Sequence, residues 1–280
     1  MDGLNRLLFS GPLLLFVGAF LLLPSLQIGA SALSDGHGGL TLRYIEALGQ
    51  PQYRTAFQNS VLLSGTTALL GGLLGTLLAF LASGRRGWLA EAVTAFSGVA
   101  ANFAGVPLAF AFIATLGTTG LLTQFLKQAL GLDLYGSGFS LFSYWGLVVV
   151  YLYFQIPLMF LVMTPAVAGL RREWREAAEG LGATPFQYWT RVVLPLILPP
   201  ALAGTILLFG NAFSAYATPY ALTSGALPLI PLQIGSALQG NVAADPQQGA
   251  ALALGMVALM LVSLGLYFAL ERRNSRWRQR

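Results

Sequence analysis

The chain has 280 residues, 56% hydrophobic and 9% charged, with a net charge of +5 and a mean hydropathy of +0.70. Soluble domains carry about 25% charged residues, so this chain has too little charge to clothe a soluble surface and reads as an integral membrane protein. It has no cysteine and a single histidine, His37, in a glycine-rich loop, which excludes disulfides and thiolate metal sites and leaves metal catalysis without a ligand set.

Six apolar stretches are long enough to cross a hydrocarbon layer about 30 Å thick at 1.5 Å per residue. Backbone groups in lipid must bond internally, so each is expected as a helix. In chain order they cover roughly 7–26, 59–82, 92–116, 142–170, 196–216 and 249–270. The first is read as a retained span and not a signal peptide, because its apolar run is long and "IGASALS" is a weak cleavage site.

The connections differ in charge. One set holds Arg6, Arg85, Arg86, Arg171, Arg172, Arg175, Arg191, Arg272, Arg273, Arg276, Arg278 and Arg280. The other holds only Arg43, Arg54 and Lys127. Twelve against three places both termini in the cytoplasm by the positive-inside rule, and six spans fit that parity. The positive charge is therefore a topology signal. No folded recognition element accompanies it, which argues against nucleic acid, and the tail "ERRNSRWRQR" is suited to an anionic lipid surface.

Three longer segments fall on the opposite side. The first, 27–58, is expected to hold one or two short helices. The third, 217–248, alternates apolar pieces with Pro and Gly and is read as a partly buried or surface-hugging segment, tolerated where protein or water satisfies its backbone. The glycines of "SGTTALLGGLLGTLLAF" are read as small faces for close packing within the bundle.

Between the fourth and fifth stretches the chain turns polar: "EWREAAEGLGATPFQYWTRVVLPLILPP". Residues 173–181 read as a short helix, with Trp174, Ala177, Ala178 and Leu181 on one face and Glu173 and Glu176 near the positive end of its dipole. Gly180 and Gly182 suit a stop or turn. Thr184 is an N-cap candidate, Pro185 the first helical residue, and Gln187 the third, completing a capping box. Phe186, Trp189 and Val193 are expected on one side of this second helix, with Pro195 as a boundary before the fifth span. A helix, sharp turn and helix are more than a connection needs. Two readings remain open from the pattern alone: a docking element for a soluble partner, or an amphipathic helix lying on lipid.

This segment resembles the signature of ABC importer permeases: Glu-Ala-Ala, a Gly six residues after the Glu, then a hydrophobic-Leu-Pro cluster. Glu176, Ala177, Ala178, Gly182 and Val193-Leu194-Pro195 stand at those places. The resemblance runs from the second span to the sixth, and "ANFAGVPLAFAFIATLG", "YFQIPLMFLVMTPAVAGL" and "FSAYATPYALTSG" are similar to the spermidine/putrescine-type branch. It implies an all-α, six-span permease of the type I importer, MetI-like fold in the bacterial inner membrane. Residues 1–280 then form one transmembrane domain, with 171–195 as a cytoplasmic coupling segment.

The resemblance also implies partners: a dimer of cytoplasmic ATPases that uses ATP and Mg, a second and different permease chain, and an external substrate-binding protein. Glu176, Ala177, Ala178 and Gly182 would dock on the ATPase, and Thr184, Pro185 and Phe186 would keep the second helix rigid. This chain should bind no cofactor and hydrolyse no ATP, since it has no "GxxxxGK[ST]" phosphate loop.

Polar residues inside spans are functional candidates. Asn102 precedes Gly105 and Pro107, a break that would free backbone carbonyls. Gln155 lies beside Pro157. Asn211, Ser214, Tyr216 and Tyr220 follow in and after the fifth span. Together they are the candidate solute path, built as a discontinuous helix with polar side chains. Each alone also fits an ordinary helix–helix hydrogen bond. A polyamine is cationic, yet the spans hold no carboxylate except Glu91 and Glu271 at their ends. Thiamine, ferric ion or an organic anion are alternative solutes. An intramembrane enzyme would need a convergent nucleophile or metal set, and a secondary transporter buried ionisable coupling groups; the sequence offers neither.

Overall fold

The computed structural model describes residues 11, 15–35, 39–83, 88–239 and 245–278. The expected start of the first span at Leu7, the loop histidine His37, and Arg6, Arg85, Arg86 and Arg280 lie outside the described residues. Among the described residues the regular structure is helical, apart from one isolated antiparallel bridge between Ser34 and Leu40. Among the described residues six helices are long and apolar enough to cross a membrane.

The chain divides into two compact units. The first comprises the described residues up to Phe57 together with Pro228–Met260. It holds α1 (Leu15–Ala32), a short turn of helix at Arg43–Glu46, the start of α2 (Pro51–Ser83), α10 (Ile230–Gln239) and the first part of α11 (Pro246–Arg278). Its core has two clusters. Ala32 packs with Ala250 and Ala251, and Ala56 packs with Ile230 and Leu252. Helix α2 starts at Pro51, eight residues before the expected edge, because proline suits a first helical position.

The second unit comprises Gln58–Leu227 and the chain from Leu261 onward. It holds the rest of α2, then α3 (Trp88–Asn102), α4 (Val106–Leu116), α5 (Leu121–Leu130), α6 (Tyr144–Ala168), α7 (Arg172–Gly180), α8 (Pro185–Phe213) and α9 (Ala217–Thr223). Helix α6 is its centre, 61% buried over its most apolar window. Met159, Phe160 and Met163 of α6 pack with Ala68 and Ala79 of α2 and with Val193, Ile197 and Leu208 of α8.

Glycines set the approach of α2 to α6. A side chain at Gly75 would meet the Ile156 carbonyl oxygen at 2.7 Å, and one at Gly71 would meet Gln155 Cβ at 3.0 Å. Four residues apart on one face, these two positions let the backbones close together, as small residues do between membrane helices.

The third crossing is broken. Helix α3 ends at Asn102, and α4 begins at Val106 after Gly105, whose φ of 79° and ψ of −151° only glycine adopts readily. The apolar run continues through Val106–Leu130, but Gly117 and Gly120 turn the chain between α4 and α5.

The fifth crossing corrects an expectation. No boundary falls at Pro195: α8 runs unbroken from Pro185 to Phe213. The helix widens just before the proline, with a π turn at Trp189–Val193 in which Leu194 N–H donates to the Trp189 carbonyl. The same arrangement occurs in α1, where a π turn at Gly18–Leu22 precedes Pro24. A proline ring clashes with the carbonyl four residues back and has no N–H to offer it. A widened turn moves that carbonyl aside, so the helix continues.

Candidate functional site

The polar segment after α6 folds as an elbow. Helix α7 carries two ion pairs along its exposed side, Arg172–Glu176 at 3.0 Å and Arg175–Glu179 at 2.9 Å. The hydrogen bond to Glu179 raises the Arg175 guanidinium above its ordinary value. Such exposed i,i+4 pairs contribute a few tenths of a kcal/mol each, so their main effect is to fix the directions of four charged side chains.

The turn is tightly made. Ala183 N–H donates to the Ala178 carbonyl at 2.9 Å and Gly182 N–H to the Glu179 carbonyl at 3.0 Å. Gly182 has φ of 78°. This is a Schellman C-cap, with glycine at its left-handed position. Two residues later the capping box closes: Gln187 N–H donates to Thr184 Oγ1 at 3.3 Å, and Thr184 N–H donates to Gln187 Oε1 at 2.9 Å. Between Gly180 and Pro185 these two caps follow one another directly and set the corner between the helices.

The elbow presents apolar side chains outward. Leu181 is 89% exposed and Phe186 76% exposed, with Trp174 and Ala177 also exposed. The expected single face of Phe186, Trp189 and Val193 divides. Phe186 points out, the Trp189 ring packs on Phe80 of α2 at 5.4 Å, and Val193 is buried. The widened turn at Trp189–Val193 rotates the helix register between them.

The polar residues of the spans differ in exposure and in partners. Asn102 is exposed and donates to the Gly98 carbonyl of its own helix at 2.8 Å. Asn211 is exposed, and Ser214 Oγ donates to the Gly210 carbonyl at 2.8 Å. Tyr216 and Tyr220 stack with centroids 5.4 Å apart and Tyr220 half exposed. Gln155 alone is fully buried: its Nε2 donates to Thr67 Oγ1 at 3.2 Å and to the Leu208 carbonyl at 3.5 Å, while Oε1 has no partner. It ties α6 to α2 and α8 and lines no open surface. Near the break, Phe103 and Phe112 set their rings edge-on to Tyr153. Thr218, which is not among the candidate path residues, bonds Gly105 from 113 residues away.

Among the described residues no cluster of His, Cys, Asp or Glu could hold a metal ion. The arrangement offers a rigid, apolar, charge-rimmed corner outside the spans and a discontinuous crossing within them.

Residues 71–276 match the family model for the binding-protein-dependent transport system inner membrane component. The chain belongs to that family. Among its relatives is the "Probable ABC transporter permease protein y4fN" of Sinorhizobium fredii, 30% identical over 258 residues, covering 89% of this chain and 41% of that protein. This chain thus spans less than half of that relative. The molybdenum transport system permease protein ModB of Mycobacterium bovis is 28% identical over 229 residues, covering 80% of this chain and 82% of the relative.

Two solved structures share the fold. One is a bacterial alginate ABC transporter in complex with an alginate pentasaccharide-bound periplasmic protein, with a TM-score of 0.75 at 19% identity over 96% of this chain and 95% of that one. The other is the MetNI methionine transporter in an inward-facing conformation, with a TM-score of 0.50 at 16% identity over 80% of this chain and 99% of that one. As a member of the family this chain is a multi-span inner-membrane permease of the MetI-like fold, a transport subunit.

Proposed function

We propose that this chain is one of two membrane subunits of an ATP-driven importer that passes a small solute from an external binding protein to the cytoplasm. The observation that carries the reading is the elbow: a Schellman turn and a capping box joined back to back, holding Leu181 and Phe186 exposed. A surface of that kind costs solvation unless a partner covers it. The proposed partner is a cytoplasmic ATPase dimer, whose closure around ATP and Mg would move the elbow as a rigid lever. Such a lever can bias transport only by coupling differently to the inward and outward states. Glu176, Ala177, Ala178 and Gly182 would form the docking surface, and Thr184, Pro185 and Phe186 the corner that transmits it. Both termini would then lie in the cytoplasm, with residues 1–280 acting as a single permease domain.

The solute path proposed here runs past the broken third crossing and the outer end of α8, along Asn102, Asn211, Ser214, Tyr216 and Tyr220. Gln155 serves it from behind by fixing α6 against α2 and α8. The path is neutral and permissive, with selection left to the binding protein. A polyamine, the first expectation, would call for carboxylates that these spans lack, and neither relative described above names one. The ModB relative is named for molybdenum, which travels in oxygenated water as a small oxyanion. An oxyanion suits this path better, since α4 begins at the break with no side-chain cap on its N-terminus.

Reconstitution of the chain with its co-encoded partners in liposomes tests the function. ATP-dependent uptake of the ligand retained by the binding protein is expected. ATP hydrolysis indifferent to the presence of this chain would overturn the reading. Competing labelled molybdate against putrescine in the same vesicles decides the solute class.

A further inference from the structure

A cleft at the elbow runs into a trough along the spans. The cleft, about 330 Å³, is lined by Ser83 of α2, Arg175 and Glu179 of α7, and Tyr188 and Trp189 of α8. The trough, about 320 Å³, shares Phe80, Trp189 and Val193 with the cleft and continues between Gly72 and Thr76 of α2 and Leu198 and Ala201 of α8. A further hollow of about 290 Å³ shares Leu202 and Thr205 with the trough and extends it along the same seam. Together they make one slot, charged at the elbow and apolar beyond it.

We propose that this slot binds one phospholipid with a zwitterionic phosphoethanolamine headgroup, entering from the leaflet that meets the elbow. The polarity order is that of a lipid. The charged end holds a guanidinium and a carboxylate side by side, Arg175 and Glu179, each more than half exposed and ion-paired with each other. A phosphate beside an ammonium can replace both halves of that pair, phosphate on Arg175 and ammonium on Glu179. The guanidinium fork matches phosphate oxygens well. A headgroup with a net negative charge would meet the Glu179 carboxylate uncompensated, so phosphatidylglycerol fits worse.

The length agrees. From Leu194 to Thr205 the trough follows α8 for about 16 Å, eleven steps at 1.5 Å per residue. That is roughly one leaflet of a hydrocarbon layer about 30 Å thick. The small side chain of Ala201 leaves room for an acyl chain. A lipid seated here would touch the elbow, α2 and α8 together, which lies outside the solute path.

Native mass spectrometry of the full chain, titrated with short-chain phosphatidylethanolamine and phosphatidylglycerol, tests the proposal. One phosphatidylethanolamine is expected to stay bound after detergent exchange, with phosphatidylglycerol about tenfold weaker for the loss of one charge-assisted contact. The double variant Arg175→Ala, Glu179→Gln lies on an exposed helix face and should fold; it is expected to erase the preference between the two lipids. Thr76→Phe, which fills the trough, should lose the retained lipid, while Val262→Phe on another exposed face keeps it. Equal retention of both lipids, unchanged in these variants, would mean a general lipid coat and would sink the proposal. So would a cross-link from Leu198→Cys to a second permease chain, which would put a protein helix in the trough. Lipid retention is read without ATP, so its failure leaves the transport reading untouched.

Discussion

Thr218 holds both polar ends of Gly105. Gly105 N–H donates to Thr218 Oγ1 at 2.9 Å, and the same hydroxyl donates to the Gly105 carbonyl at 3.3 Å. The two residues are 113 apart in sequence, and Thr218 is 3% exposed. A break in a membrane helix leaves backbone groups that something must satisfy, and here α9 supplies it with one side chain.

Thr218→Val keeps the shape and removes the hydroxyl. It is expected to lower stability by about 1–3 kcal/mol, the cost of leaving a partly buried amide without a partner, while Thr218→Ser stays near wild type. Gly105→Ala should cost a similar amount for a different reason. Its nearest neighbour, Ala217 Cβ, would be 3.8 Å away, so the penalty is backbone strain of about 1–3 kcal/mol. Thermal unfolding in one detergent ranks all three; equal midpoints would remove the latch from the account.

Gly182 stands in the left-handed region with nothing within 4 Å of where a side chain would project. Gly182→Ala therefore clashes with nothing and still costs about 1–2 kcal/mol in backbone conformation. Locally that is enough to loosen the corner between α7 and α8 while the spans stay folded. The expected outcome is normal membrane insertion with ATP hydrolysis that responds less to the loaded binding protein. Full stimulation in this variant would show that the angle of the elbow does not matter.

The corner was legible because its signals are local. Gly182, Thr184, Pro185 and Gln187 sit within six positions, and caps are decided by neighbours. The break near Gly105 was legible for the same reason. What the sequence hid depends on contacts between distant segments. Pro195 reads as an end because a proline inside a helix usually is one; a widened turn that tolerates it leaves no composition signal. Gln155 reads as a path residue because a polar group in a span is costly. That α2 and α8 close over it depends on Gly71 and Gly75 meeting α6, a geometry that no single stretch encodes.

Gln155 gives a sharp contrast. With Oε1 unpartnered in the interior, Gln155→Leu removes an unsatisfied group along with two donated bonds, and a change in stability within about 1 kcal/mol is expected. Transport should survive if the residue only ties helices together. Loss of uptake at unchanged melting temperature would return Gln155 to the solute path.

Outside the spans, Asp133 accepts from Lys127 at 2.8 Å and from Gly136 N–H at 2.9 Å. The Lys127 bond, then the Gly136 bond, holds its carboxyl below the ordinary carboxylate range. A depressed folded-state value stabilises the turn above that range, and the effect fades as pH falls through the lowered value. Amide exchange at Gly136, corrected for intrinsic rate, should speed up on acidification in the wild type and show no such pH step in Asp133→Asn. A step that persists in the variant would assign it to another group.

The most direct test of the lever uses a property of the chain itself: it has no cysteine. Single substitutions Ala177→Cys, Leu181→Cys and Phe186→Cys can each be cross-linked in the assembled transporter without background. The account predicts adducts with the cytoplasmic ATPase at Ala177→Cys and Leu181→Cys whose yield changes when ATP is bound. Adducts only with lipid, or labelling of these cysteines by an impermeant reagent from outside the cell, would contradict it.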